Sequence, residues 1–557
     1  MSIADLLATT PGITLSRNGP IGGFTAVRIR GAEGEQTLTV IDGVRVNDPS
    51  SPGGGFDFAN LLSGSVERIE ILRGPNSVPW GSQALGGVVN IVTTAPAYGV
   101  HARGNVEYGE HDSLFANAAI SGANDHFSGA LTAGYLRSDG VSAAASGTEP
   151  DGYRQYGATG RVGINITDDI GVDLRGYYAH SRVQLDGFPP PTFAVLADDA
   201  EFSTTQEIYG YAGAHADFAD GRFKNRVAFT IADINRDNFD PSFGTAPSFI
   251  GRGRSQRYEY QGDFKVIDAL RLVGGVEHED TRFNDGASFF TTGVTSFYGE
   301  AIVKPIRQLT VTGGVRHDQH RAYGGHTTFG ADAALALDEG TTIRASYGEG
   351  FKAPTLFQLY APFFGFANLQ PETARNYDVG VSQSFLGRRA VASVTYFHRD
   401  TVNQIDFDLG FFAYRNIARA RAQGIEAELA LKPIDDLTLV ANYSYIHAEN
   451  RAVGANFGRD LARRPRQTVN VSVDYKLPFG LSLGSTVSLV SDSFDNAGNT
   501  VRLDGYVLTG VRAELPIGEH FAIYGRIDNL TDERYRTVSG YGTLGRAAYG
   551  GVRVKLN

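Results

Sequence analysis

TVNVSVDY, residues 468–475, sets Val469, Val471, Val473 and Tyr475 on one face and Thr468, Asn470, Ser472 and Asp474 on the other. Extended backbone turns successive side chains to opposite faces, so the segment reads as a strand between an apolar and a wet environment. The pattern returns downstream. In 507–515, Val507, Thr509, Val511, Ala513 and Leu515 oppose Leu508, Gly510, Arg512 and Glu514. At the end of the chain Val552, Val554 and Leu556 oppose Arg553, Lys555 and Asn557.

Turn signals near Pro305, Asp338, Gly387, Asp435, Pro478 and Pro516 stand 33 to 49 residues apart. Each interval holds two strands of about ten residues and one longer loop, as in the hairpins of a transmembrane barrel. Loops such as DGFPPPTFAVLADDAEFSTT (186–205) are rich in Gly, Asp, Phe and Pro. Tyr177, Tyr178, Tyr443, Tyr445, Tyr475 and Tyr524 stand near strand ends, where aromatic girdles mark the membrane interfaces. A soluble β-sandwich, the competing architecture, has shorter strands and short loops at both ends. No exact repeat marks a propeller or solenoid.

Residues 1–95 follow another regime, with short Val/Ile runs broken by Gly, Asp and Pro and a helix expected over residues 3–9, stopped by Pro11-Gly12. The remaining 462 residues, 96–557, give 21 to each of 22 strands with its share of loop. A barrel of that width is plugged, and an open 16-stranded porin leaves the first regime unexplained. The expected fold is therefore an all-β membrane protein. Residues 96–557 form a 22-stranded antiparallel transmembrane β-barrel, and residues 1–95 an N-terminal globular plug inside its lumen.

Composition narrows the function. With no cysteine there is no disulfide scaffold, thiolate metal cage or cysteine nucleophile. A formal net charge of −11 argues against a nucleic-acid binder. No apolar run is long enough for a transmembrane helix. MSIADLLATTPGI lacks the basic and apolar regions of a signal peptide. Enzyme readings find little support: GYGTLG (540–545) is followed by no helix, and His317 and His320 fall on opposite faces of an extended segment.

Several phrases resemble one family. VRIRG (27–31), VIDGVRVND (40–48) and VERIEILRGPNSVPWGSQALGGVVNIVT (66–93) are similar to the plug of TonB-dependent outer-membrane transporters. SYGEGFKAPTLFQLY (346–360), NLQPETARNYDVGV (368–381), NIARARAQGIEAEL (416–429) and IDNLTDERYRTVSGY (527–541) resemble its barrel. Among subfamilies the chain looks most like the cobalamin transporters. The resemblance implies a monomer in the Gram-negative outer membrane, surrounded by lipid, that captures a scarce large substrate and releases it inward when TonB pulls the plug. It implies no enzyme activity, no nucleic acid and no required cofactor. The segment that recruits TonB precedes the plug in this family, and nothing like it is read before Ser2, so the chain as given is expected to bind substrate without transporting it. An iron-siderophore, an oligosaccharide or an aromatic compound also fits as substrate. A passive porin-like channel or a surface adhesin is the alternative class.

The resemblance implies that Arg30 and Arg73 pair with barrel carboxylates, Glu426 and Asp378 being those on alternating strands; Asp378 stands where Glu is more usual, which puts its reach to Arg73 in question. Arg28 and Arg68 share these plug phrases. Substrate contacts are expected on the apical loops: Asn47, Asp48, Ser50, Ser51, Phe56 and Asp57 in 46–60, and Asn76, Ser77 and the only tryptophan, Trp80, in 76–80. Trp80 reads equally as a plug-core contact. Some cobalamin transporters order their outer loops with calcium, which makes Asp151, Asp186, Asp198 and Asp199 candidate ligands, with Glu149 and Glu201 in the same loops. Phe188, Phe193, Phe363, Phe364 and Phe366 form a candidate aromatic mouth.

Overall fold

The computed structural model describes residues 2–190, 193–337, 340–408 and 411–556. Twenty-two antiparallel strands, from Gly99–Gly109 to Ala547–Leu556, close into one barrel. The last strand pairs with the first, from Tyr549 opposite Gly109 to Leu556 opposite Ala102. At one end successive strands are joined by two to five residues; at the other, connections reach 19 residues, over 353–371. Short turns mark the inner side and long loops the outer side of such a barrel. The turns at Gly387, Asp435 and Pro478 fall at the inner end, and those expected at Pro305 and Pro516 follow within a few residues, at 307–308 and 518–520. The turn expected at Asp338 lies outside the described residues.

Strand length varies from eight residues, Phe521–Asp528, to 22, Ala197–Phe218 and Ala413–Ile434. Since about 9–11 tilted residues cross the hydrocarbon core, the longer strands rise well above the membrane. This corrects the reading of 186–205 as one loop. Asp198, Asp199 and Glu201 lie on the strand Ala197–Phe218, paired with Ile170–Gly187, and only 188–196 connects them. Outward-facing aromatics form two belts. Phe127, Phe218, Phe264 and Phe521 are exposed near the inner ends, and Tyr108, Tyr156, Tyr258 and Phe297 about nine residues further out.

The polar face of each strand looks into the lumen, and the lumen holds the plug. Asn470, from the opening octapeptide, donates to the carbonyl of Ala8 at 3.4 Å, while Val471 on the other face is exposed on the outside of the barrel. A helix, Ile3–Ala8, starts at a Ser2/Asp5 capping box. Ile13–Arg17 then pairs with Thr25–Ile29. Four strands follow in the spatial order Val44–Arg45, Thr37–Ile41, Gly87–Thr93, Val66–Arg73. Asp42 and Gly43 both take positive φ (49° and 89°), the two-residue hairpin turn that an Asp-Gly pair favours. The plug core of Ile13, Val27, Ile29, Ile41, Val89 and Ile91 continues onto the wall through Tyr177, Tyr209 and Tyr211.

Candidate functional site

Two buried ionic clusters tie plug to wall. In the first, Arg30 stands on a tight turn with φ 50°. Its Nε and Nη2 donate to both oxygens of Glu426, at 2.9 and 3.0 Å, and its Nη1 reaches Asp378 at 3.2 Å. Arg73 adds a longer contact to Glu426 at 3.4 Å. Asp378 therefore meets Arg30 and not Arg73, and Ser346 also donates to it, at 2.6 Å. Burial disfavours the Arg30 charge, but Glu426, then Asp378, hold its pKa above the usual arginine value. Gly12 packs over the pair: its φ is +76°, and a Cβ there would lie 2.0 Å from Glu426 Oε1.

The second cluster was not foreseen from sequence. Arg45, on the hairpin after Asp42-Gly43, donates to Glu277 and Glu279, both at 3.0 Å. Arg257 and the almost fully buried Arg316 share Glu277 with it, and Arg316 also holds Asp318 at 2.9 Å. The plug's Ser82 donates to Asp318. The signal lay in VIDGVRVND itself, which places an arginine two residues past a tight turn, but its partners stand some 230 residues away. Further round the wall Arg464 pairs with Glu33 and caps the carbonyls of Gly31 and Ala32 at 3.4 Å. Arg68 instead pairs with Glu70 at the exposed surface of the plug.

The opposite side of the plug is held more loosely, by hydrogen bonds such as the pair that Arg17 exchanges with Thr537, at 2.9 and 3.0 Å, and among the described residues by no ion pair to the wall. A channel of about 1000 Å³ runs between Ile21, Gly22, Thr25, Phe58 and Gly64 of the plug and Arg103, Glu107, Arg512, Glu514, Arg526 and Arg553 of the wall. Among the described residues, strands Ser482–Val490, Tyr506–Ile517 and Ala547–Leu556 make no hydrogen bond or ion pair to residues 1–93; their charges pair within the wall, as Arg512 does with Asp474 and Arg553 with Glu514.

Of the expected apical contacts, one lines the outward crevice. Asn47 faces a space of about 150 Å³ together with Arg45, Ser82, Arg316, His320 and Lys352. Asp48 instead accepts from Ser50 and lies 3.9 Å from Arg236; Ser50 and Ser51 are buried. Phe56 packs edge-on against Phe58 within the core. Asp57 accepts from the backbone of Thr25 and Ala59, and burial pushes its carboxyl up to about 6. Asn76 donates to Gly74, Ser77 is buried, and Trp80 ends a short helix, Ser77–Trp80, against Leu38, Val40, Ala84 and Val88. Most of these side chains thus build the plug, because a domain inside a lumen needs a core of its own. His317 and His320 do face opposite ways, His320 towards the crevice and His317 towards Thr327.

Loop 353–371 folds inward over the plug, and a Cβ on Gly54 would lie 2.8 Å from Thr355. Its helix, Leu356–Tyr360, buries Leu356, Phe357 and Leu359. Ring contacts of 4.6–6.2 Å run from Phe364 through Phe407, Tyr414, Phe357, Phe283 and Phe290 to Tyr360. Phe363 and Phe366 remain exposed on this loop, whereas Phe188 and Phe193 are exposed on another.

The outer carboxylates also gather. Asp199 lies with Glu201 and Asp240, their oxygens within 4.8 Å of one another. Asp186 accepts from Ser142 at 2.9 Å and from the Asp199 amide at 3.1 Å. Asp151 is 1% exposed, one of its oxygens finds no donor, and burial together with Asp186 pushes its carboxyl up to about 7. Asp198 is engaged by the Thr148 and Glu149 amides. Glu149 contributes its amide to that contact.

A closed barrel whose lumen is filled by an ion-paired plug defines a gated membrane receptor. The profile described as TonB-dependent Receptor Plug Domain matches residues 1–88, and that described as TonB dependent receptor-like, beta-barrel matches residues 97–530. The chain belongs to the TonB-dependent receptor family. Among solved structures it is similar to the ferric enterobactin receptor of Pseudomonas aeruginosa (TM-score 0.84, 19% identity, covering 100% of this chain and 96% of that one). It is likewise similar to the siderophore receptor PirA of Acinetobacter baumannii (0.84, 18%, 100% and 96%) and the FrpB iron transporter of Neisseria meningitidis (0.84, 14%, 100% and 97%). These likenesses are of fold, and they do not single out the cobalamin subfamily.

Proposed function

We propose that this protein imports a large iron chelate across the Gram-negative outer membrane, in a TonB-driven cycle, as a monomer. The observation that carries the reading is the aromatic wall of loop 353–371 standing over the crevice that Asn47 lines. Rings suit the flat faces of an aromatic siderophore. Relatives in fold that are named for siderophores and iron support the same class. Ligand bound on the glycine-rich apex would bias the plug, and an inward pull would part it from the wall on the loosely held side, along the 1000 Å³ channel. Isothermal titration of the detergent-solubilised protein tests the substrate. A Kd of about 1 μM or tighter for a ferric catecholate, with no heat from cyanocobalamin, supports this reading. The reverse result moves the assignment to a corrinoid.

The carboxylates favour that second reading. Asp199, Glu201 and Asp240, with Asp186 and Asp151 beside them, are an all-oxygen set suited to a hard cation, which would neutralise them and tie two outer strand ends together. Addition of millimolar calcium is expected to raise the melting temperature of the outer loops and slow their proteolysis. Asp186→Asn with Asp199→Asn should abolish both effects, and unchanged proteolysis with calcium would rule the site out.

A further inference from the structure

Six charged side chains line the crevice inside the mouth, and five of them are answered within the protein. Arg45 is held by Glu277 and Glu279, Arg316 by Glu277 and Asp318, and Lys352 lies 3.7 Å from Glu372. The sixth is Glu35, whose carboxylate makes no hydrogen bond or ion pair among the described residues. His320 adds no charge. Its Nδ1 accepts from the amides of Ala322 and Tyr323, at 3.1 and 3.3 Å, and burial, then Arg321, pull its pKa down. A ligand entering the crevice therefore meets one unanswered negative charge.

Local structure fixes that charge in place. Glu35 stands on a 3₁₀ turn, Gly34–Gln36, closed by Gln36, whose side chain accepts from the Glu33 amide at 3.2 Å. Its stem lies across the glycine run of the apex. A Cβ on Gly53 would run into Cγ of Glu35, and one on Gly55 would lie 3.4 Å from its Cα. A Cβ on Gly54 would instead meet Thr355, the residue that caps the helix of loop 353–371. PGGG (52–55) is thus a seat for two neighbours, with Glu35 on one side and the loop on the other.

The carboxylate also stands near the aromatic wall. Tyr414 packs there against Phe357 and Phe407, and burial, then the Glu35 charge, push its phenol up. A rigidly held carboxylate attracts a cation more strongly in such a crevice than in bulk water, and ring faces beside it attract the same cation.

We infer that the chelate captured by this mouth carries a protonated amine, and that Glu35 selects it, with the amine seated between the carboxylate and the aromatic wall. This rests on the iron-chelate function proposed above and adds the charge of the ligand to it. The anionic iron core finds no free cation in the crevice, so it lies against the rings and its amine arm points to the apex. A neutral arm would cover Glu35 without giving it a partner, and the cost of that desolvated carboxylate adds to the discrimination.

Isothermal titration of the full chain in detergent at neutral pH tests this with two ferric tris-catecholates that differ at one arm. The arm ends in a primary amine in the first and in the acetylated amine in the second. The parent should bind the amine at least about tenfold more tightly, the scale of a hydrogen bond between charged groups. Glu35→Gln keeps the stem that packs on Gly53 and removes the charge, so it should abolish the difference between the two chelates. Heat-modifiable mobility on gels confirms that the variant is folded. Equal affinities in the parent, or a preference that survives in Glu35→Gln, would overturn the amine and leave the iron-chelate function standing. If neither chelate binds the parent, the iron-chelate function is overturned and the amine with it.

Discussion

Replacing Glu426 with alanine is expected to let current through a barrel that is otherwise closed. Glu426 is 4% exposed and accepts from Arg30 and Arg73 together, so its removal leaves Arg30, itself 4% exposed, buried with Asp378 alone at 3.2 Å. Breaking a buried pair from one side costs about 3–5 kcal/mol, which corresponds to two to three and a half orders of magnitude in the docked-to-undocked ratio of the plug. Planar-bilayer recordings in rising urea should show channels opening at lower urea in Glu426→Ala than in the parent. The double variant Arg30→Met with Glu426→Leu separates pairing from packing. It removes both desolvated charges, leaves Asp378 its Ser346 donor, and leaves Arg73, 29% exposed, within reach of water. It should close the barrel again, since apolar replacement of a buried pair is often neutral or stabilising. A double variant as leaky as Glu426→Ala would show that the site acts through shape and not through charge.

Alternation along single strands made the barrel legible, because each strand separates lipid from a wet lumen and writes both environments into every second residue. Width followed from length, and the presence of a plug from the change of regime near residue 95. Height did not follow. Nothing local distinguishes a strand residue above the membrane from a loop residue, so Asp198, Asp199 and Glu201 read as loop while lying on the tall strand Ala197–Phe218. Arg30 and Glu426 were found through the resemblance, whereas Arg45 and Glu277 were missed, since a contact spanning 232 positions leaves no local trace. Phe56 and Trp80 read as ligand contacts because aromatic residues beside glycine suit a mouth. They pack inward instead, since 95 residues held in a polar lumen must still bury an apolar centre.

The lopsided docking of the plug carries the other large expected effect. Its ion pairs reach the wall through Asp378, Glu426, Glu277, Glu279, Arg236 and Arg464, all on one arc, and the opposite arc faces the 1000 Å³ channel. A plug drawn inward should therefore part first from the channel side. The chain has no cysteine, so an introduced pair crosslinks unambiguously. On the anchored arc a Cβ on Gly348 would lie 3.4 Å from that of Pro75, close to the roughly 3.5–4.5 Å of a disulfide, but 2.4 Å from the Pro75 carbonyl oxygen, so the Pro75 backbone must yield for the bond to form. On the channel side a Cβ on Gly64 would lie 2.7 Å from that of Asn117, so loop 63–65 must yield by about 1 Å for the bond to form. Oxidised Gly64→Cys/Asn117→Cys should stay closed at urea concentrations that open the reduced form. Oxidised Pro75→Cys/Gly348→Cys should still open, because the pinned segment is one that need not move. If the anchored-arc crosslink alone holds the barrel shut, the passage lies on the ionic side. If both do, the plug leaves as one body and the channel beside it is only packing space.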